Sequence, residues 1–343
     1  MTSIPDLQKG HKPVMLNEVL EHLAPADGEV YIDGTFGGGS YSTAIMDHAD
    51  CQIYGFDRDD TAIARAGEIK SDPKYAKRLH PIHSCFGDMH AKMVEADMPL
   101  VDGIVLDLGV SSFQLDEAER GFSFMRDGPL DMRMGLAEES AADVVNNMDE
   151  TDLANIIYQY GDEKQSRRIA KAICKARLEA PFETTLQLAN LIEKTCPKKG
   201  KSRIHPATRT FQALRIYVNK ELEEVEKALE ASLHLLKPDG RLVIVAFHSL
   251  EDRIVKHFMR QYSGNTAKPN KYAPIREPEA IEKSAFTLKK RGAIRPTKEE
   301  ESENPRSRSA VLRCAIRTAF SLDEIDLPEE TNHKKNKGKG YKK

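Results

Sequence analysis

Short apolar runs alternate with amphipathic stretches over the first third of the chain. Glu29-Val-Tyr-Ile-Asp33, Cys51 to Phe56, Leu79 to His83 and Gly103 to Asp107 are β-rich runs bounded by turn residues, and they predict four strands. Between them, Thr61 to Ile69 and Asp88 to Ala96 suit crossover helices. Strands spaced by helices imply βαβ units, and hence a parallel sheet with helices on both faces. After Asp107 this rhythm stops. From about Asp116 to Arg215 the pattern is helical. One helix opens at Thr151, carries Leu153, Ile156, Ile157 and Tyr160, and ends at Gly161; two more run from Glu163 to Leu178 and from Thr185 to Lys194. The α/β rhythm then returns. Val218, Leu222, Val225, Leu229, Leu233 and Leu236 recur at helical spacing, and Lys237-Pro-Asp-Gly240 reads as a turn. A buried strand from Arg241 to Phe247, a helix from His248 and a closing strand from Val311 to Arg317 complete the pattern. The expected fold class is α/β, a doubly wound Rossmann-like sheet with an inserted all-helical domain. Residues 1–115 and 216–320 would form the core, 116–215 the insertion and 321–343 a basic flexible tail.

The glycine turn after the first strand, Asp33-Gly-Thr-Phe-Gly37-Gly38-Gly39-Ser40-Tyr41, is the strongest local signal. Glycines there let the backbone approach a ligand and leave the amides of the next helix facing it. Asp57, twenty residues beyond Gly37, ends the second strand, where a carboxylate can accept hydrogen bonds from ribose hydroxyls. A dinucleotide fingerprint would need a third glycine where Ser42 stands. An acidic residue four positions before the glycine pair, with Thr35 at the first glycine position, instead suits a methyl-donor site in which Asp33 faces the donor's amine. A nicotinamide-dependent oxidoreductase and a non-catalytic RNA-binding factor are the competing readings.

Asp107 ends the fourth strand, and ligands of open α/β sheets bind beyond the carboxyl ends of the strands. An exocyclic cytosine amine is a poor nucleophile because its lone pair is delocalised into the ring. A carboxylate that accepts its N–H bonds would localise that pair and could take the released proton, which makes Asp107 the catalytic candidate. His248, at the end of the fifth strand, could reach the same site, although helix capping competes as its role. Phe86 and Phe113 could sandwich an adenine or a target base.

Composition narrows the setting. The chain has 343 residues, 40% hydrophobic and 31% charged, which excludes wholesale disorder. Its longest apolar run, about Leu242 to Phe247, is far short of a bilayer span, and its amino-terminal stretch lacks the apolar core of a secretory signal, so no membrane contact and a cytoplasmic location are expected. Five scattered cysteines form no C-x-x-C pair, so neither a metal site nor a disulfide framework is expected. The net charge of −3 hides a segment from Lys194 to Lys220 without an acidic residue, and a basic tail from His333 to Lys343. Such segments on a near-neutral protein can supply phosphate contacts.

Longer runs carry a family resemblance: His11-Lys-Pro-Val-Met-Leu-Asn-Glu18, Tyr31-Ile-Asp-Gly-Thr-Phe-Gly37, Leu106-Asp-Leu-Gly-Val-Ser-Ser112 and the stretch Gln114 to Arg133. His205-Pro-Ala-Thr-Arg-Thr-Phe-Gln-Ala-Leu-Arg-Ile216, Phe247 to Val255 and Arg306 to Ala310 extend it, so that it covers about residues 11 to 318. The chain resembles the bacterial RsmH (MraW) family of 16S ribosomal RNA cytidine N4-methyltransferases. The resemblance implies a class I methyltransferase sheet, S-adenosyl-L-methionine as cofactor, and a cytidine in the decoding region of 16S rRNA within the small ribosomal subunit as target. It leaves a homodimer open. Carried over position by position, it implies cofactor contacts at Gly39, Ser40, Tyr41, Asp57, Phe86, Asp107 and Gln114, beside Asp33 and Gly37. The family often reads Gly-Gly-His where this chain has Gly39-Ser40-Tyr41, a change that keeps the backbone amides. Arg120, Arg126, Asp131 and Arg133 would line the RNA entrance, with Arg203, His205, Arg209 and Arg215 adding phosphate contacts.

Overall fold

A computed structural model describes residues 13–98, 100–197, 205–263, 283–289 and 292–325. The first half of the core runs α1 (Leu16–Leu23), β1 (Val30–Asp33), α2 (Ser40–His48), β2 (Gln52–Asp57), α3 (Asp60–Lys70), β3 (Leu79–His83), α4 (Met89–Glu95) and β4 (Val101–Asp107). Six helices follow without a strand: α5 (Ser112–Asp116), α6 (Ala141–Asn147), α7 (Glu150–Gly161), α8 (Ser166–Ala176), α9 (Thr185–Thr195) and α10 (Thr208–Val218). The core resumes with α11 (Glu221–Leu235), β5 (Leu236–Ala246), α12 (Ser249–Gln261), β6 (Phe286–Thr287), α13 (Lys298–Glu303) and β7 (Val311–Arg317).

The seven strands lie in the order β3-β2-β1-β4-β5-β7-β6. β3 to β5 are parallel, whereas β7 runs antiparallel to β5 and to β6. This is the doubly wound sheet that the strand–helix rhythm predicts. Side chains alternate between its faces as the pleat requires. Ile32, Ile104, Leu106, Leu242 and Ile244 pack on the face covered by α4, α11 and α12, while Tyr31, Val105, Val243 and Val245 pack on the α1–α2 face. Both faces are covered, so the central strands read as continuous apolar runs. Burying each such side chain stabilises by about 1.5–3 kcal/mol.

The helical segment has its own core, built from residues that include Leu130, Met132, Val145, Ile157, Ile173, Leu188 and Phe211. Capping boxes at Ser140/Asp143 and Thr184/Gln187 start α6 and α9. Two expectations need correction. Val218 does not join the stripe that begins at Leu222: it closes α10, and Lys220 at φ +51° separates the two helices. Lys237–Gly240 does not precede β5. Leu236 pairs with Val101 and Arg241 with Gly103, so those residues bulge from within the strand, with Asp239 at φ +65°. One asparagine ties the helical segment back to the sheet domain. Asn219 accepts from the Met134 amide (2.8 Å), donates to the Met132 carbonyl (2.7 Å), and offers its own carbonyl to Arg58 Nη1 (2.7 Å).

Candidate active site

Strand order reverses between β1 and β4, and at such a switch point the flanking loops part to leave a crevice. Asp33 and Asp107 stand at the carboxyl ends of those two strands, and the hydroxyl of Thr35 ties the strand ends together by accepting from the Asp107 amide (2.6 Å). The glycine turn then leads into α2. Gly37 and Gly39 have φ of +53° and +73°, and a Cβ on Gly39 would come within 2.7 Å of Ile69 and Phe36. Gly39 caps α2 without a side-chain hydrogen bond, which leaves the opening amides of the helix at Ser40 and Tyr41 for a ligand, while that of Ser42 serves Asp33. The turn, the strand ends, Phe86, Phe113 and Gln114 all line one cleft of about 890 Å³. That is room for a nucleoside-bearing cofactor and a second group beside it.

Three carboxylates set the electrostatics. Asp33 accepts from Ser42 Oγ (2.6 Å) and the Thr35 amide (3.1 Å), but burial, reinforced by the charge of Asp57, raises it to about 6. Asp57 accepts from the Gly37 and Asp59 amides (2.8 and 2.9 Å); burial still raises it above the ordinary carboxylate range. Asp107 is raised well above the ordinary carboxylate range, by burial and then by the charges of Asp33 and Glu251, and among the described residues its Oδ1 has no hydrogen-bond partner. A buried acceptor without a partner is costly unless a ligand supplies the donor.

Behind the turn, Asp59 forms a node that the sequence reading missed. It accepts from Gln114 Nε2 (3.0 Å), Arg120 Nη2 (2.7 Å) and the Thr61 amide (3.0 Å). Burial opposes its charge, yet these hydrogen bonds outweigh burial and hold it down to about 2. Gln114, expected at the cofactor, thus lines the cleft while its amide serves Asp59 and its Oε1 accepts from the Ser111 amide in a capping box. Tyr41 also lines the cleft, but its hydroxyl donates to the Val14 carbonyl, pinning the amino-terminal segment there.

A second charged cluster lines the same cleft. Arg215 grips Glu221 through two hydrogen bonds (2.8 and 2.9 Å), and His248 caps α12, accepting from the Glu251 amide through Nδ1 (3.4 Å). Burial opposes charge on Glu251, but His248, Arg215 and the Phe247 amide together hold its carboxyl below the ordinary range. Glu221, His248 and Glu251 bring ligand atoms within 4.8 Å of one another. Both oxygens of Glu221 are nevertheless taken by Arg215, whose fixed charge would repel a metal ion. The spacing His248-x-x-Glu251 is that of a capping box and was readable in sequence; its partner Glu221 was not.

Several of the residues expected to contact RNA are engaged within the protein. Arg120 is tied to Asp59, Arg133 holds Asp131 in a bidentate pair, and Arg126 donates to the Asp116 carbonyl. Arg215 lies inside the cleft rather than on the surface. His205 packs on Phe124 with Glu193 at 3.6 Å, and exposed Arg209 reaches the Asp162 carbonyl. Arg203 and the basic tail lie outside the described residues.

A parallel switch point, an open helix amino terminus and carboxylates ending β1, β2 and β4 define an α/β enzyme that holds a nucleoside-bearing cofactor. Comparison with known proteins narrows this. The chain belongs to the MraW methylase family, whose profile matches residues 8–318. It is 52% identical over 320 residues to a protein of Hyphomonas neptunium named ribosomal RNA small subunit methyltransferase H, covering 92% of each chain. A protein of the same name from Gluconobacter oxydans is 52% identical over 316 residues, 92% of this chain and 96% of that one. Among solved structures, an rRNA methylase from Streptococcus thermophilus superimposes loosely, with a TM-score of 0.39 and 10% identity over 88% of this chain and 93% of that one. The chain is therefore a methyltransferase, and its cofactor is S-adenosylmethionine.

Proposed function

We propose that this chain methylates the exocyclic N4 amine of a cytidine in the decoding region of 16S rRNA, within the small ribosomal subunit. The observation that carries the reading is Asp107 Oδ1, a buried acceptor at the switch point of the cleft that has no hydrogen-bond partner among the described residues. The names of the close relatives supply the substrate class.

The residues present fit the cofactor. The glycine turn lets the cofactor approach and the open start of α2 offers backbone amides; Asp33 would take a cationic amine, Asp57 ribose hydroxyls, and Phe86 and Phe113 the base. When bound, S-adenosylmethionine supplies the electrophilic methyl group. Asp107 accepts an N–H of the target amine, which localises the nitrogen lone pair, and then takes the proton that the methylated nitrogen must lose. Burial has raised its pKa, so it holds that proton better than an exposed carboxylate would. The helical segment faces the sheet domain across the cleft through Phe124, Thr208, Phe211 and Gln212, and serves to recognise RNA. The target base must leave its stack to enter a cleft this deep. The cytoplasm is the proposed location, and among the described residues no helix is long and apolar enough to cross a membrane.

The test is methyl transfer from labelled S-adenosylmethionine to unmethylated small subunits, followed by nucleoside analysis. Label in N4-methylcytidine is expected. Label in another nucleoside, or none despite cofactor binding, would overturn the substrate assignment.

A further inference from the structure

Five buried side-chain polar atoms among the described residues lack a hydrogen-bond partner, and two of them line the active-site cleft: Asp107 Oδ1 and His248 Nε2. The two residues follow the carboxyl ends of neighbouring strands. Asp107 ends β4 in register with Val245 of β5, its successor Leu108 donates to the Val245 carbonyl (2.9 Å), and His248 follows three residues later. The ring of His248 is oriented by its own helix. Nδ1 accepts from the Glu251 amide, so the proton of the neutral ring resides on Nε2. Glu251 Oε1 lies 2.9 Å from Nε2 as an ion-pair contact, but its geometry does not complete a hydrogen bond. Its other oxygen is taken by the Phe247 and His248 amides (2.9 and 3.2 Å). The cleft therefore presents an acceptor and a donor from adjacent strand ends, each buried and each without a hydrogen bond.

That pair is the complement of one base edge. Cytosine carries an amine donor at N4 next to an acceptor at N3, whereas uracil carries the reverse, an acceptor at O4 next to a donor at N3. We infer that His248 is a specificity-determining residue that donates from Nε2 to N3 of the target cytosine while Asp107 accepts from N4. The inference rests on the reading of the site as a cytidine N4-methyltransferase and adds what selects the base. Uracil in the same pose would set donor against donor at His248 and leave Asp107 facing an oxygen, so two buried groups would stay unpaired. The contact also draws electron density toward N3, so it must be balanced by Asp107 on the amine; the two groups act on one conjugated edge.

The experiment compares wild type with His248→Ser and His248→Asn on small subunits reconstituted with cytidine or 3-deazacytidine at the target position. The deaza base keeps the amine and O2 but replaces N3 by C–H. Serine and asparagine both retain the α12 cap; only asparagine keeps a donor on an atom other than the capping one, whereas the short serine hydroxyl is held at the cap. Wild type is expected to lose roughly tenfold to a hundredfold in kcat/KM on the deaza substrate. His248→Ser should lose a similar factor on cytidine and little more on 3-deazacytidine, with His248→Asn between them and cofactor Kd unchanged in both. Losses that multiply, or a wild type indifferent to the deaza base, would overturn the inference. The second result needs no variant to fold. A wild type that makes no N4-methylcytidine on unmodified subunits would instead overturn the underlying reading.

Discussion

Asp33→Asn probes the charge that the cleft holds at greatest cost. Burial, with the charge of Asp57 behind it, raises the Asp33 carboxyl to about 6 against hydrogen bonds from Ser42 and Thr35 that favour ionisation. Each pKa unit corresponds to about 1.4 kcal/mol, so ionising Asp33 in the empty protein costs about 3 kcal/mol. For a raised carboxyl the stabilising contribution is complete below pH 4 or so and is lost as pH climbs through about 6. A cationic amine seated against Asp33 inverts the balance, because only the ionised carboxylate pairs with it. Cofactor binding below pH 6 must then expel a proton. At pH 5 about one tenth of the empty protein has Asp33 ionised, so the Kd for S-adenosylmethionine is expected to be about tenfold weaker than at pH 7.5. Calorimetry at pH 5 to 7.5, in two buffers of different ionisation heat, reads both the affinity and the proton release. Asp33→Asn should bind weakly with a flat profile, and at pH 7.5 its empty form should be the more stable protein. A wild-type Kd constant from pH 5 to 7.5, with no proton exchanged, would refute this reasoning.

Asp107→Asn should lower single-turnover methyl transfer by about a hundredfold to ten-thousandfold while cofactor Kd stays within about threefold; an unchanged rate would remove Asp107 from the chemistry. Gly39→Ala places a Cβ 2.7 Å from Ile69 and Phe36 at φ +73° and should cost about 1–3 kcal/mol in urea unfolding, with cofactor affinity falling alongside. A fully stable variant would mean that the turn can open. Arg120→Ala strands Asp59, and because the arginine is partly exposed the expected loss is about 1–3 kcal/mol at pH 7. The Asp59 carboxyl is held down to about 2, so that contribution is present at neutral pH and fades as pH falls toward this value. The deficit should shrink in unfolding measured at pH 3, and an equal deficit at both pH values would contradict the assignment.

Short-range periodicity made the sheet readable. Leu79 to His83 is β3 as read, and β1, β2 and α3 fall within a residue or so of the pattern, because alternation and helical spacing are local consequences of the pleat and the helix. The two misread places are those where local pattern and tertiary pairing diverge. Val218 has the spacing of the next helix, but packing inside the helical segment claims it. Lys237-Pro-Asp-Gly240 has turn chemistry and does turn, yet Leu236 before it already pairs with β4, and sequence alone has no means to show a partner strand. The two-residue β6, and α13 with its Glu300 carboxylate accepting from the Met15 amide, gave no periodic signal at all.

Within the site, residues announced by a strand end or a turn were legible and those defined by a long-range partner were not. Asp33, Asp57 and Asp107 stand out because each closes an apolar run, whereas Asp59, two residues past Asp57, looks like one more surface acid. Its role depends on Gln114 and Arg120, far away in sequence and beyond β4. This pairing has a functional consequence. The turn after β2 puts Asp57 against the glycine loop through the Gly37 amide, and its next carboxylate anchors the start of the segment that carries the helices. Arg58, between them, donates to the Asn219 carbonyl at the segment's other end. Three consecutive residues thus hold the glycine loop and both ends of the helical segment in one geometry. Under the proposed function, a base presented by that segment would meet a methyl donor aligned by the same turn, and Arg120, which looked like a phosphate contact in sequence, is spent on holding that alignment.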